Sequence, residues 1–514
     1  MSHRDGERAR APRFTILLKD EAASRRLGID LAQTLRTGDR LALCGDLGAG
    51  KSTLARAIIR TLAGDEALDV PSPTYTLAQT YDTRPKTTHF DLYRIEDEEE
   101  LRELGFDEAS ETGIVLVEWA ERSPAILGEC NARIRLDLTA DGGRIAAIEC
   151  DPEIALRIER SLAIRRFLGA AGLESAMRHA FPADASARRY ERIERPAAPG
   201  LVLMDAPATP PLRTAEGVRS YAEIAHIAQS VLPFVAIAEH LTARGVSVPA
   251  IMAADLDAGL VLLEDLGTEG ILAPDGTPIT ERYLESARCL AALHAVPFAP
   301  DLDLTSGETY RVPTFDRAAM RAEVSLVLDW YVPSRRGRPV SAAERETFLA
   351  LWDTILDAIA DTETNLLLRD VHSPNILWQS EREGIARVGL LDFQDAMVGP
   401  VAYDVASLAQ DARVDIAPSL QDAIVAAYLE ARPGIDEGAF RHAFAVMAAQ
   451  RATKILGIFV RLHERDGKAQ YRRHIPRLQA YLDRTLGHPA LASLRYFYKA
   501  TGILDGSAGE TRPH

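Results

Sequence analysis

The stretch that most narrows what this chain can fold into is GDLGAGKS, Gly45–Ser52. It follows an apolar run, RLALC at Arg40–Cys44, and leads into STLARAIIRTL at Ser52–Leu62, whose apolar residues recur at helical spacing. In a strand, glycine loop and helix of this kind, backbone N–H groups curl around a phosphate at a helix N-terminus. Gly45, Gly48 and Gly50 would let the backbone approach without side-chain clash. Lys51 would reach the outer phosphate oxygens, and the Ser52 hydroxyl would ligate Mg²⁺. A glycine-rich turn that matches by chance is the competing explanation, and the flanking strand and helix count against it. An α/β P-loop nucleotide-binding domain with a buried parallel sheet is therefore expected here.

At 514 residues the chain is too long for one ordinary core. Its net charge of -16 argues against bulk electrostatic binding of nucleic acid, which needs basic surface. Four scattered cysteines with no C-x-x-C pair speak against a disulfide framework or a zinc site and fit a reducing cytoplasm. No run of about 18 apolar residues marks a membrane span. The polar, basic start is no secretory signal, and residues 1–12 read as a disordered tail.

Downstream of the glycine loop come PSPTYTL (Pro71–Leu77), HFDLYRI (His89–Ile95), ELGFDE (Glu103–Glu108) and IVLVEWAER (Ile114–Arg122). A carboxylate at the C-terminal end of a strand beside the loop can hold Mg²⁺ or orient the attacking water. Glu118 and Asp91 are the candidates; a surface acid and a turn or helix cap are the bland alternatives. Two runs, RIRLDL and RIAAIEC, flank Asp-Gly-Gly and read as a hairpin closing the domain. In this order the motifs resemble the TsaE (YjeE) family, the ATPase component of bacterial tRNA threonylcarbamoyladenosine synthesis, across about residues 14–150. The resemblance implies phosphate and Mg²⁺ binding by Lys51, Ser52 and Thr53, metal binding and hydrolysis by Asp91 and Glu118, and a switch-like loop at Ser72–Thr74. It also implies an adenine contact for Trp119, although an aromatic after a strand equally packs a core. Its implied partners are the threonylcarbamoyl-transferase subunit TsaD and its paralogue TsaB, with tRNA reached only through them.

A second constellation lies at Asn365–Asp395: Asp370, Asn375 five residues on, and Asp392 in an apolar frame. One carboxylate to orient an attacking hydroxyl, with an amide and a second carboxylate for Mg²⁺, is the grammar of a kinase catalytic loop. Upstream, Ala183–Ile193 and Leu201–Ala206 read as a nucleotide-covering hairpin, Tyr221–Leu241 as a helix, and Gly259–Leu266 as a strand plus hinge. LLEDLG, LLLRDVHSPNILW, GLLDFQDA and VGPVAYDVASLAQD resemble the aminoglycoside-phosphotransferase-like kinases. The nearest subgroup is AmgK, the anomeric kinase of N-acetylmuramate and N-acetylglucosamine in cell-wall recycling. The fold implied is an α+β, protein-kinase-like bilobal domain over 152–495, with a small lobe to about 266, a helical lobe to 495 and a tail at 496–514. By that resemblance Asp370 is the base, and Asn375 and Asp392 hold Mg²⁺.

Two departures stand out. Leu368 replaces the usual catalytic-loop histidine, and Met204 stands where the small-lobe lysine belongs. The helix that should supply that lysine's glutamate partner is apolar at Phe234–Ala236. Arg188 and Arg189 could supply the missing phosphate-facing charge, or form a solvated surface pair. His372 could touch substrate or simply pack, and Asp404 reads as a helix cap. The expectation is thus a cytoplasmic fusion using ATP and Mg²⁺ twice, with a small sugar as the second substrate. A non-catalytic nucleotide- or sugar-binding module is the alternative for the second part, and a kinase accessory without a tRNA role is one for the first.

Overall fold

The structure is a computed structural model. It describes residues 11–94, 102–181, 188–195, 198–209 and 219–504, apart from the side chains of 11–13. Residues 1–10 of the expected tail and the DAS part of the expected nucleotide-covering hairpin lie outside those residues, while Ala11 and Pro12 belong to a strand. The chain forms two compact units, Met1–Asp205 and Ala206–His514.

In the first unit, β1 (Ala11–Leu18) leads to α1 (Glu21–Ala32), which starts where the Asp20 carboxylate accepts the Ala23 N–H at 2.7 Å. β2 (Arg40–Cys44), α2 (Lys51–Ala63), β3 (Ala78–Tyr81), β4 (Thr87–Asp91), β5 (Ile114–Glu118), β6 (Ala132–Leu138) and β7 (Arg144–Cys150) follow. They build one seven-stranded sheet in the order β1-β7-β6-β2-β5-β4-β3. β2, β4 and β5 are parallel neighbours, and their alternation divides the core. Leu41 and Leu43 pack with Leu54 and Ile58 on one face; Ala42 and Cys44 pack with Phe90 and Val117 on the other. Both faces are covered, so β2 and β5 read as nearly unbroken apolar runs.

α3 (Pro152–Ala170) is the helix expected to open the second domain. It lies within Met1–Asp205 together with β8 (Met177–Ala180), β9 (Arg189–Arg195) and β10 (Ala198–Asp205). A buried charge cluster ties α3, β8 and β9 to α1. Asp30 of α1 pairs with Arg165 of α3 at 2.8 Å and with Arg178 of β8 at 2.7 Å, and Arg178 also pairs with Glu191 of β9 at 2.7 Å. A buried guanidinium stripped of a partner costs about 3–5 kcal/mol, so these elements are held as one body.

The second unit carries the hairpin β11 (Ile251–Asp255) and β12 (Leu260–Glu264), then mostly helices. The single helix expected over Tyr221–Leu241 is two: Tyr221–Ile224 and Leu232–Ala243. His226 has a left-handed φ of 53°, and the Ala228 N–H turns to Asp395 at 2.8 Å. Pro233 then restarts the helix at a position where its missing N–H does no harm. The segment taken as a tail from 496 is a helix to Thr501 (Ala492–Thr501), and the buried Tyr498 hydroxyl accepts from Trp352 at 3.2 Å. One helix, Glu437–Glu464, is long and apolar enough to cross a membrane, but 89% of its apolar window is buried as the core of this unit.

His294, at the end of the helix Thr280–His294, is sealed between the Tyr428 hydroxyl at 2.9 Å and the Leu366 carbonyl at 3.1 Å. Burial, aided by Arg432, pushes its imidazole down to about 3. A depressed pKa supplies stability above the unfolded value of about 6.5, lost as pH falls from there toward 3, at up to about 1.4 kcal/mol per pH unit. The melting temperature of the second unit is therefore expected to drop steadily below pH 6.5. His294→Gln should start lower and drop less, as calorimetry at stepped pH would read.

Candidate active sites

In the first unit the loop after β2 adopts a phosphate-cradling shape. Gly45, Gly48 and Gly50 have φ of 130°, 78° and 105°. At Gly45 a side chain is excluded twice over, because a Cβ there would lie 2.3 Å from the Leu136 carbonyl oxygen. Lys51 opens α2 and curls back: its ammonium donates to the carbonyls of Gly45 at 2.7 Å and Asp46 at 3.0 Å and lies 3.4 Å from the Trp119 ring centre. Burial lowers its pKa, opposed by Glu118, Glu121 and Asp91. Thr53 follows Ser52 in the first turn of α2. Trp119 is held at a left-handed φ of 59° just past β5, against Tyr93.

The two expected carboxylates stand side by side at the ends of parallel strands, with Asp91 paired to Glu118 in register. Ser52 donates to Glu118 at 2.7 Å, while Ser72 and Thr74 of the expected switch loop each donate to Asp91 at 2.8 Å. Two functional residues were missed. Glu121 accepts the Gly45 N–H at 3.1 Å, which places a carboxylate against the loop. His89, fully buried, bonds the second Glu118 oxygen at 2.9 Å. It lies two residues before Asp91, hence on the same strand face, and that spacing was the available signal. A residue that orients a candidate metal ligand typically matters about 10–100-fold. His89→Ala is expected to raise the Mg²⁺ concentration for half-maximal ATP hydrolysis at least tenfold, and His89→Gln to recover most of it, read by Mg²⁺ titration.

In the second unit, Asp370 follows the short strand Thr364–Leu367. The preceding Arg369 has a φ of 69°, and its guanidinium is buried against Glu323. Asp404 does more than cap its helix. It accepts the backbone N–H groups of Leu368 at 2.6 Å and Arg369 at 2.9 Å, and so holds the catalytic loop from below. This is how the loop manages with a buried Leu368 in place of histidine. Burial pushes the Asp404 carboxyl up to about 7. For Asp370 burial also acts upward, but Lys454, His372, Arg369 and Arg451 together bring it down to about 2.

Asn375 donates to the Asp370 carbonyl at 3.0 Å and lies 3.4 Å from an Asp392 oxygen; the other Asp392 oxygen accepts from Gln394 at 2.6 Å. Asp370, Asn375 and Asp392 are thus gathered in one place. Phe393 stacks on Phe234 at 4.8 Å, which accounts for the apolar stretch at Phe234–Ala236.

Models of two families match. That of the threonylcarbamoyl adenosine biosynthesis protein TsaE covers residues 18–146, and that of the phosphotransferase enzyme family covers 178–440. An N-acetylmuramate/N-acetylglucosamine kinase of Caulobacter vibrioides is 37% identical over 358 residues, 67% of this chain and 97% of that protein. A protein of the same name from Pseudomonas aeruginosa is 33% identical, over 60% of this chain and 84% of its own length. A tRNA threonylcarbamoyladenosine biosynthesis protein TsaE of Rickettsia felis is 37% identical over 134 residues, 26% of this chain and 78% of that protein. The chain belongs to both families. It is a fusion of a TsaE domain with a phosphotransferase-family domain, and both families use ATP.

Within the phosphotransferase-family part, Met204 is buried in β10, and no lysine takes its place. The charge beside it is Asp205, paired with Arg160 of α3. Arg189 begins β9 opposite Asp205 and is exposed, and Arg188 precedes it. Glu323, Lys454 and Arg451, which surround the catalytic loop, were also missed. They lie 45 to 85 residues from the motif, and no local pattern points to them.

Proposed function

We propose that the phosphotransferase-family unit moves the γ-phosphoryl group of ATP onto the anomeric hydroxyl of N-acetylmuramate or N-acetylglucosamine. The gathering of Asp370, Asn375 and Asp392 carries this reading. The sugar oxygen bonds to the γ-phosphorus, the bond to the β–γ bridging oxygen breaks, and the hydroxyl proton passes to Asp370. A carboxyl held near 2 is a weak base, so Asp370 orients the hydroxyl and takes its proton late, as a loose phosphoryl-transfer transition state requires.

Among the described residues no group of three or more His, Cys, Asp or Glu side chains could hold a metal ion. Mg²⁺ is usually held by one or two side chains plus substrate phosphates, and Asn375 and Asp392 would hold it here. Asn375 spends its NH₂ group on the Asp370 carbonyl and an Asp392 oxygen, leaving its amide oxygen for the ion. Mg²⁺ would neutralise charge on the phosphates there. Arg188 and Arg189 would supply the phosphate-facing charge that Met204 lacks. Sugar phosphate formed from ATP across a panel of amino sugars tests this reading. No transfer to any of them favours a binding module, the reading Met204 supports.

For the TsaE unit the proposal is ATP hydrolysis in support of tRNA threonylcarbamoyladenosine formation, in company with TsaD- and TsaB-like subunits. Gly45, Gly48, Gly50, Lys51 and Ser52 would hold the phosphates. Ser52, Asp91 and Glu118 present oxygen ligands that fit a hard cation. Asp91 and Glu118 would position the attacking water, and Trp119 would meet the adenine. Complementation of a strain lacking its own TsaE is the test, and failure there favours a kinase accessory.

A further inference from the structure

The hairpin β6–β7, read from the sequence as closing the domain, also braces the glycine loop. Cys44 at the end of β2 pairs with Arg135 of β6, and β6 pairs in turn with β7. β6 meets the loop directly, because the Leu136 carbonyl oxygen stands where a Gly45 side chain would be. β7 meets it by a longer reach. Arg144 opens β7 opposite Leu138, one strand further from β2, and its side chain crosses β6 to donate from Nε to the Ala49 carbonyl at 2.9 Å. The guanidinium lies against Gly50, where a Cβ would stand 3.1 Å from Nε.

Ala49 is fixed at its other points as well. Its methyl is fully buried in the core with Leu54 and Ile58, and its N–H donates to the Asp46 carbonyl at 3.1 Å. The peptide joining Ala49 to Gly50 is planar and trans, so its C=O and N–H point in opposite directions. With the carbonyl drawn toward β7, the Gly50 N–H is turned the other way, into the loop. Gly50 caps the N-terminus of α2 with a φ of 105°, and its N–H donates to no group among the described residues. A free N–H at that place suits an anionic oxygen. Glycine adopts both signs of φ, so Gly50 by itself would not resist a flip of this peptide. The flip would present a carbonyl oxygen to a phosphate that only accepts, replacing attraction by repulsion.

We propose that Arg144 is a positioning residue of the P-loop, which by holding the Ala49 carbonyl keeps the Gly50 N–H facing the β-phosphate of the bound nucleotide. This rests on the ATP-hydrolysis reading of the first unit. Arg144 acts through the peptide rather than by touching phosphate, and the group that matters is its Nε–H.

The test is ATP hydrolysis by the full chain without sugar, as wild type, Arg144→Met and Arg144→Gln, with the rate of Lys51→Ala subtracted as the contribution of the second site. Glutamine places an N–H where Arg144 Nε stands and carries no charge, whereas methionine places a methyl there. Arg144→Met is expected to raise the KM for ATP and the inhibition constant of ADP by the same factor, about tenfold, the scale of one hydrogen bond to a charged group, since both nucleotides carry the β-phosphate. Its kcat should stay within about threefold of wild type, as for a contact made equally in ground and transition states. Arg144→Gln should recover both constants. An unchanged KM in Arg144→Met overturns the inference, and so does a loss in Arg144→Gln as large as that in Arg144→Met, which would make the charge the active feature. Hydrogen exchange at the Gly50 amide of the wild type is expected to slow when ADP is added; exchange that does not slow overturns the inference however the variants fold. Hydrolysis equal in wild type and Lys51→Ala overturns the reading of the loop itself, and this inference with it.

Discussion

Asp370→Asn is expected to lower kcat for sugar phosphorylation by about a thousandfold, within the range by which a positioned acid or base contributes. The substitution keeps the size and hydrogen-bonding shape of the side chain and removes only its charge and its ability to take a proton. The loop does not depend on that charge. It is pinned by Asp404 through two backbone N–H groups and by the buried pair of Arg369 with Glu323. The variant should therefore fold and bind ATP with KM nearly unchanged, which confines the loss to the chemical step. Sugar phosphate is the quantity to measure, since hydrolysis at the P-loop cannot produce it. A loss smaller than about tenfold would place proton transfer elsewhere and return Asp370 to a structural role.

Much of this site is legible in order along the chain, because loops that handle phosphate carry their groups at fixed short spacings. Gly45, Gly48, Gly50, Lys51 and Ser52 fall within eight residues, and Asp370 and Asn375 within six. The strand-end carboxylates Asp91 and Glu118 are readable for a related reason: Glu118 closes an apolar run, Asp91 follows the apolar Phe90, and a parallel sheet aligns such ends. What could not be read depends on juxtaposition across long separations. Asp30 meets Arg178 across 148 residues. No periodicity announces it, because both residues look like surface charges until they are buried together. Asp404 reads locally as a helix cap, yet its carboxylate points 35 residues back to the catalytic loop. Arg451 sits in a helix whose pattern is simply apolar, and only the fold brings its charge to bear on Asp370.

At the P-loop the largest effect is expected from Lys51→Ala, which should cut ATP hydrolysis by at least about a hundredfold, the scale of losing one transition-state charge contact. The loop's other resources for phosphate are weak by comparison. The α2 N-terminus offers roughly half an elementary charge, and the nearest carboxylates, Glu121 on the Gly45 N–H and Glu118 on Ser52, are negative. Lys51 is thus the cation that makes the loop attractive to a triphosphate. Its resting place on two loop carbonyls and the Trp119 face is one it must leave to reach a phosphate. Withdrawing an ammonium from 3.4 Å above an indole alters the indole's emission. Adding ATP to wild type should therefore change the Trp119 signal, taken as the difference from Trp119→Phe, and Lys51→Ala should show no such change. Alanine is well tolerated at the start of a helix, so fold and melting temperature should hold. Hydrolysis that persists in Lys51→Ala within a few fold of wild type would mean that the phosphates are held by other groups, and the reading of this loop would have to be given up.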